Sequence, residues 1–255
     1  RKNGLVKRLE SSFYAFQISL NNFRQANQNM IDMFNRDKVF IAPDLDINNL
    51  LEAGLSDEEI EEKLNAKAEE NPKNSVFKAE DFAPEYIELL QQDQEILEKM
   101  YTDWEGITDE DDSKFAKFNE LLKHELFKND RNPEQKLVVF SESVDTVKYL
   151  ERRINRKDVL VISADNRSKL FKTIRENFDA NYKTKLNKYN IILTTDVLAE
   201  GVNLHRANVI VNYDTPWNSS RVNPLSGIFS ILFASAIAFF VKIAYNVFES
   251  AQQIR

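Results

Sequence analysis

No cysteine occurs in the 255 residues, which excludes a disulfide framework, a thiolate zinc site and a cysteine nucleophile, and fits a reducing, cytoplasmic setting. Glycine is scarce as well. The five glycines stand at 4, 54, 106, 201 and 227, and none precedes a Lys-Ser or Lys-Thr pair, so a Gly-rich loop that cradles phosphates cannot form. No acidic box closes a predicted strand, which leaves ATP without a main binding site on this chain. There are only two histidines. His124-Glu125 begins like a zinc-protease helix, but position 128, where the second ligand belongs, is Lys. His205 has no nucleophile near it in sequence and reads as a loop residue. No catalytic residue and no metal ligand is therefore expected. An initiator Met and a charged-then-apolar leader are lacking too, so the chain is expected to be a fragment.

Charge is plentiful and unevenly placed. Residues 37–112 contain 24 acidic and 6 basic side chains, a net −18, whereas the whole chain carries −7 and the remainder therefore +11. A mildly basic body with an acidic insertion is compatible with phosphate contacts on the body.

Periodicity divides the chain further. Leu9, Phe13, Phe16, Leu20 and Phe23 recur at steps of four and three and predict one long helix over 7–34. Ser56 and Glu59 have the spacing of a capping box, and Leu55 can pack on Ile60 as a hydrophobic staple. Further helices are expected over 84–104 and 113–127, with 109–112 as a solvated charged turn, so residues 37–130 read as an acidic, all-helical insertion. From 136 onward short apolar runs alternate with amphipathic stretches. Strands are predicted at 137–140, 159–162, 191–194 and 209–212, and helices at 144–154 and 170–178. Continuous apolar strands separated by helices imply a parallel sheet covered on both faces, an α/β fold. In such sheets function gathers beyond the carboxyl ends of the strands, here at 141–143, 163–168, 195–204 and 214–221.

One run carries more than layout. Residues 194–204, Thr-Thr-Asp-Val-Leu-Ala-Glu-Gly-Val-Asn-Leu, are followed at 207–218 by Ala-Asn-Val-Ile-Val-Asn-Tyr-Asp-Thr-Pro-Trp-Asn. This stretch resembles motif V of superfamily 2 helicases and SNF2-type ATPases, and residues 136–142 resemble motif IV. Residues 163–179 resemble the segment between the two motifs, and residues 7–12 resemble the opening of the second lobe in bacterial SNF2-like proteins. The resemblance implies a RecA-like helicase C-terminal lobe over 131–223, entered by a helix at 1–36. It also implies that Ser141, Thr194 and Thr195 face a DNA or RNA backbone, while Gly201 and Asn203 face a nucleotide. ATP and Mg would be held mainly by a partner N-terminal RecA-like lobe outside this sequence. A strand ending in two threonines has independent chemical sense, because hydroxyls at a sheet edge can bond phosphate without reading bases. The arginine-rich motif VI of the family should follow Asn223. Pro-Leu-Ser-Gly stands there instead, so the arginines that would stabilise a transferring phosphoryl group are missing.

Beyond that point residues 225–241 contain no charge, and apolar character resumes to 248 after Lys242. The foremost expectation for 224–255 is sequence unrelated to the family, introduced by a frameshift, deletion or splice at Asn223. A membrane anchor over 225–248 and a buried helix are the alternatives. As a whole the chain is expected to be the C-terminal lobe of a nucleic-acid-dependent ATPase, inactive alone. The alternatives are a catalytically silent interaction module, whose acidic insertion binds a basic partner, and a membrane-anchored remnant.

Overall fold

Residues 2–198 and 202–214 are described in the computed structural model. Eight α-helices and six strands follow one another among them: α1 (Lys2–Ser11), α2 (Phe13–Asn35), β1 (Val39–Ile41), α3 (Ile47–Glu52), α4 (Asp57–Ala68), β2 (Ser75–Phe77), α5 (Glu85–Glu105), α6 (Ser113–His124), β3 (Leu137–Phe140), α7 (Val144–Ile154), β4 (Val159–Ile162), α8 (Arg167–Phe178), β5 (Ile191–Thr194) and β6 (Val209–Asn212). They belong to two compact units, one formed by the described residues of 1–18 and 107–214, the other by Ser19–Gly106.

The first unit is built on a four-stranded, wholly parallel sheet of order β4-β5-β3-β6. Leu137, Val139, Ile191, Leu193, Val209 and Val211 point to one face and pack with α6 and α7. The alternate residues Val138, Leu160, Ile162 and Ile192 point to the other, against Ile174 and Phe178 of α8 and against Leu198, Leu204 and Ala207. Each strand is apolar on both sides, which is why its sequence shows a continuous run. The chain passes from β3 beyond β5 to β4 and then turns back to β5. Right-handed crossovers in opposite directions set α7 and α8 on opposite faces, as found. The α/β fold read from the sequence, a parallel sheet with flanking helices, is thus present.

Several details differ from the sequence reading. The helix expected over 7–34 is broken at Ser12, whose Oγ accepts a hydrogen bond from the Ala15 amide (3.0 Å) and also bonds the Thr146 hydroxyl (2.9 Å). Ser12 is the cap of a second helix rather than an interior residue. The charged turn at 109–112 is solvated only in part, because Asp112 is buried. Its carboxylate accepts from the Phe115 amide (2.9 Å) and the Tyr149 hydroxyl (2.8 Å), capping α6 from inside. Burial and the neighbouring Asp112 raise the Tyr149 pKa, so the phenol stays a donor. Finally, α6 belongs with the sheet and not with the acidic segment, which moves the division expected after residue 130 to Gly106 and the one expected after 36 to Ile18. Phe115, Phe118, Leu122 and Leu126 all lie in the sheet's core, with the Phe118 ring edge-on to Tyr213 at 5.5 Å.

The second unit has a core of its own. Met33, Phe34, Val39, Phe40, Ile60 and Leu64 are buried together, with Leu55, Phe82, Ile87 and Leu90 against them. It is not purely helical, because β1 and β2 pair antiparallel with Phe40 opposite Val76. Val39-Phe40-Ile41 and Ser75-Val76-Phe77 are β-branched and aromatic runs too short to dominate a helical reading. A polar clasp holds the chain ends beside them: Asn71 and Asn74 both donate to the Asp44 carboxylate (2.7 and 2.8 Å). The capping box forms as expected, with Ser56 amide to Glu59 carboxylate at 2.7 Å and Glu59 amide to Ser56 hydroxyl at 3.3 Å.

Phe118 is fully buried between α6 and the sheet, so Phe118→Ala is expected to destabilise this unit by about 3–5 kcal/mol. Native-state hydrogen exchange of the β3 and β6 amides measures it, and a loss below about 1 kcal/mol would show that α6 is not part of this core.

Candidate nucleic-acid interface

The sheet's register sets the geometry of its carboxyl edge. Ile162 and Phe140 both stand opposite Thr194, and Phe140 stands opposite Asn212. The strands therefore end level, and the next residues, Ser163, Thr195, Ser141 and Tyr213, leave the sheet side by side.

The three hydroxyls singled out from the sequence have different surroundings there. Thr194 is fully buried, and its hydroxyl lies 3.1 Å from both the Ile162 and the Thr195 carbonyls. Ser141 is also buried, donating to the Asp214 carboxylate at 2.6 Å and accepting from the Ser143 amide at 3.1 Å. Thr195 is half-buried, and its hydroxyl makes no hydrogen bond among the described residues. Of the three, Thr195 is thus the one whose hydroxyl no described residue engages. Asn203 is half-buried on the loop leading to β6, with its side-chain carbonyl accepting the His205 amide at 3.3 Å. That leaves its NH2 group as a donor. Gly201 lies outside the described residues, as does all of 215–255.

Beneath this edge lies a buried polar hub that sequence reasoning missed. Asp214 accepts the Ser141 hydroxyl and the Glu142 amide, both at 2.6 Å, through one carboxylate oxygen. Its other oxygen receives the Lys114 ammonium at 3.3 Å. Lys114 also donates to the carbonyls of Glu10 (2.7 Å) and Ser11 (2.9 Å) and sits 4.2 Å from the centre of the Tyr213 ring. Burial pushes its pKa down while Asp214 pulls it back up. A signal for it existed: Lys114, Phe118 and Leu122 share one helical stripe at steps of four, which places a cation on the apolar face of α6. Nearby, Arg8 donates to the Ser143 hydroxyl at 2.8 Å, at the start of α7. The N-terminal residues are thus tied to the same edge.

The opposite edge of the sheet has a second buried cation pair of purely supporting character. Lys136, at the head of the segment resembling motif IV, donates to the Tyr189 carbonyl (2.6 Å) and the Asn190 side chain (3.0 Å). Arg206 pairs with Glu134 at 2.9 Å and donates to the Asn177 and Leu186 carbonyls. Both hold the segment between α8 and β5 to the sheet. Among the described residues no three His, Cys, Asp or Glu side chains are arranged to hold a metal ion, and no helix is long and apolar enough to cross a membrane.

Residues 113–227 match the helicase conserved C-terminal domain. The match begins at the first residue of α6, where the structure also joins the chain to the sheet, and it includes the whole carboxyl edge. Over 103 residues the chain is 29% identical to a probable ATP-dependent RNA helicase, ddx51, of Dictyostelium discoideum, covering 38% of this chain and 18% of that protein. The chain therefore spans less than a fifth of that relative's length. The C-terminal part of the Fun30 ATPase domain overlays 84% of this chain and 78% of its own at 14% identity and a TM-score of 0.35. The helicase C-terminal domain match and the parallel sheet point the same way.

Desolvation, followed by the nearby Arg206 charge, lowers the Lys136 pKa from 10.5 to about 8. Between those values the unfolded chain binds the proton that the folded chain has lost, so stability must rise with pH across this window. From pH 8 to 10 a gain of about 1–2 kcal/mol is expected that Lys136→Met lacks, measured as the difference in urea midpoints. Parallel pH profiles for the two proteins would contradict the assignment.

Proposed function

We propose that this chain is the second RecA-like lobe of a nucleic-acid-dependent ATPase of the SNF2-like kind. In this reading Thr195 holds a DNA or RNA phosphate, and the loop carrying Gly201 and Asn203 faces a nucleotide held by a first lobe. The observation that carries it is the Thr195 hydroxyl, without a hydrogen bond among the described residues, at a level sheet edge whose other two candidate hydroxyls are engaged inward, within a helicase C-terminal domain match. A phosphate oxygen needs such a donor and asks nothing of the base. ATP and Mg fit this chain only as partial partners: Asn203 offers an amide donor, but no phosphate-cradling loop and no metal-holding carboxylate group stands beside it among the described residues. ATP when bound supplies the phosphoryl chemistry. This chain's residues would orient and enclose it.

The separate core of Ser19–Gly106, with 21 acidic and 8 basic side chains, favours an added role for that unit as a docking module for a basic partner.

Alone, the chain is expected to show no ATP turnover with nucleic acid present; turnover above a mock purification would refute the assignment of the phosphate site to another lobe. In the complete protein, Thr195→Val should leave the melting temperature unchanged. A hydrogen bond to charged phosphate is worth about 1.5–3 kcal/mol, so half-stimulation of the ATPase should need roughly ten to a hundred times more nucleic acid. An unaltered half-stimulation point would end the claim for this residue.

A further inference from the structure

The outer surface of α8 and the segment that follows it, 179–190, form a patch that the carboxyl edge does not use. Residues 163–190 contain seven cations, Arg167, Lys169, Lys172, Arg175, Lys183, Lys185 and Lys188, against three carboxylates. Two of those carboxylates are already engaged: Glu176 by Lys172 (3.7 Å) and the buried Asp179 by Arg175 (3.4 Å). Lys169, Lys183, Lys185 and Lys188 are exposed, and none has an ion-pair partner among the described residues. Their field is uncompensated.

Aromatic groups are interleaved with these charges. The Arg175 guanidinium lies 4.6 Å from the centre of the half-buried Tyr182 ring and 5.8 Å from that of Phe171. Phe171 is 40% exposed and Leu186 41%. An exposed phenylalanine among lysines on an outer helix face contributes nothing to the core, whereas rings beside a guanidinium are what an unstacked base packs against.

The backbone of the segment is held from beneath. Asn177 accepts the amides of Lys188 (2.9 Å) and Tyr189 (3.0 Å), the Leu186 amide donates to the Glu176 carbonyl (2.7 Å), and Arg206 and Lys136 bind the Leu186 and Tyr189 carbonyls. Buried donors and acceptors fix the main chain while every lysine points outward. The cations are therefore presented in a set arrangement, which lowers the ordering cost of binding an anionic chain.

We propose that the Phe171-Arg175-Tyr182 cluster, with Lys183, Lys185 and Lys188, is a second binding surface for single-stranded nucleic acid. It is separate from the carboxyl-edge contact at Thr195 and continues the track along the outside of α8. The proposal draws on the nucleic-acid reading above but does not depend on Thr195. A single strand is the ligand because its bases are free to stack, and its phosphates match the uncompensated lysines.

The test uses the full chain and fluorescence anisotropy with labelled oligo(dT), a duplex of equal length, and a salt series. A triple variant Lys183→Gln, Lys185→Gln and Lys188→Gln alters exposed side chains only, and its melting temperature checks the fold. Three lost phosphate contacts should flatten the slope of log affinity against log salt by about 2 and weaken low-salt binding at least about tenfold. Phe171→Ala should weaken oligo(dT) binding about tenfold with the slope unchanged and leave duplex binding unaltered. If the unaltered chain binds oligo(dT) and the triple variant binds it equally with the same slope, the patch is overturned while the Thr195 reading stands. If the unaltered chain binds neither oligonucleotide, both fall. Loss of binding to phosphatidylserine vesicles in the triple variant, with oligo(dT) binding unchanged, overturns the proposal in favour of an anionic membrane surface.

Discussion

The buried contact between Lys114 and Asp214 is the constraint on which the carboxyl edge depends. An ammonium and a carboxylate withdrawn from water lose their hydration and destabilise the fold unless each is fully bonded. Here Lys114 has the Glu10 and Ser11 carbonyls as well as Asp214, and Asp214 has the Ser141 hydroxyl and the Glu142 amide. Satisfying both charges requires the end of α1, the start of α6, the loop after β3 and the end of β6 to be in place together. Thr195 then emerges beside Ser141 because parallel pairing leaves no other register open. The inward engagement of Ser141 and the availability of Thr195 are two results of one arrangement.

Much of this could be read in advance, and the rest could not for definable reasons. The strands at 137–140, 159–162, 191–194 and 209–212 appear where continuous apolar runs placed them, since a doubly covered strand leaves little ambiguity of face. The capping box at Ser56 is equally local. Ser12 was different: its role as a break comes from Thr146, distant in sequence, and nothing in its neighbours announces it. The three-residue strands β1 and β2 are stabilised by pairing across the chain, which a window of periodicity does not register. Asp112 looked like part of a solvated charge run because its partner, Tyr149, is 37 residues away. At the candidate site the residue types were legible and the direction of their hydroxyls was not. Thr194 and Thr195 are chemically alike, and only the end of the strand between them separates the one whose hydroxyl bonds the Ile162 carbonyl from the one whose hydroxyl no described residue engages.

The two ends of the sheet divide the labour of its buried cations. At the carboxyl edge Lys114 orders loops that carry the candidate contacts. At the amino edge Lys136 and Arg206 order a connection whose outward side chains are cationic. In both places a cation is sunk beneath a surface with side chains that no described residue engages, Thr195 at one edge and Lys183 and Lys185 at the other, so a rigid backbone carries an available side chain. Recognition of a uniform phosphate chain calls for this combination, because geometric precision is needed and base-specific chemistry is not.

The pairing of Lys114 with the Glu10 and Ser11 carbonyls joins positions separated by 104 and 103 residues. Closing a loop of that length costs only slightly more entropy than closing one half as long, since the penalty grows with the logarithm of length. The sheet unit is accordingly indifferent to how much chain departs after Ile18 and returns at Ile107. Whole segments could be lengthened, shortened or exchanged at that position over evolutionary time while the clasp beneath the edge stayed the same, so the acidic unit is free to diverge at its own pace.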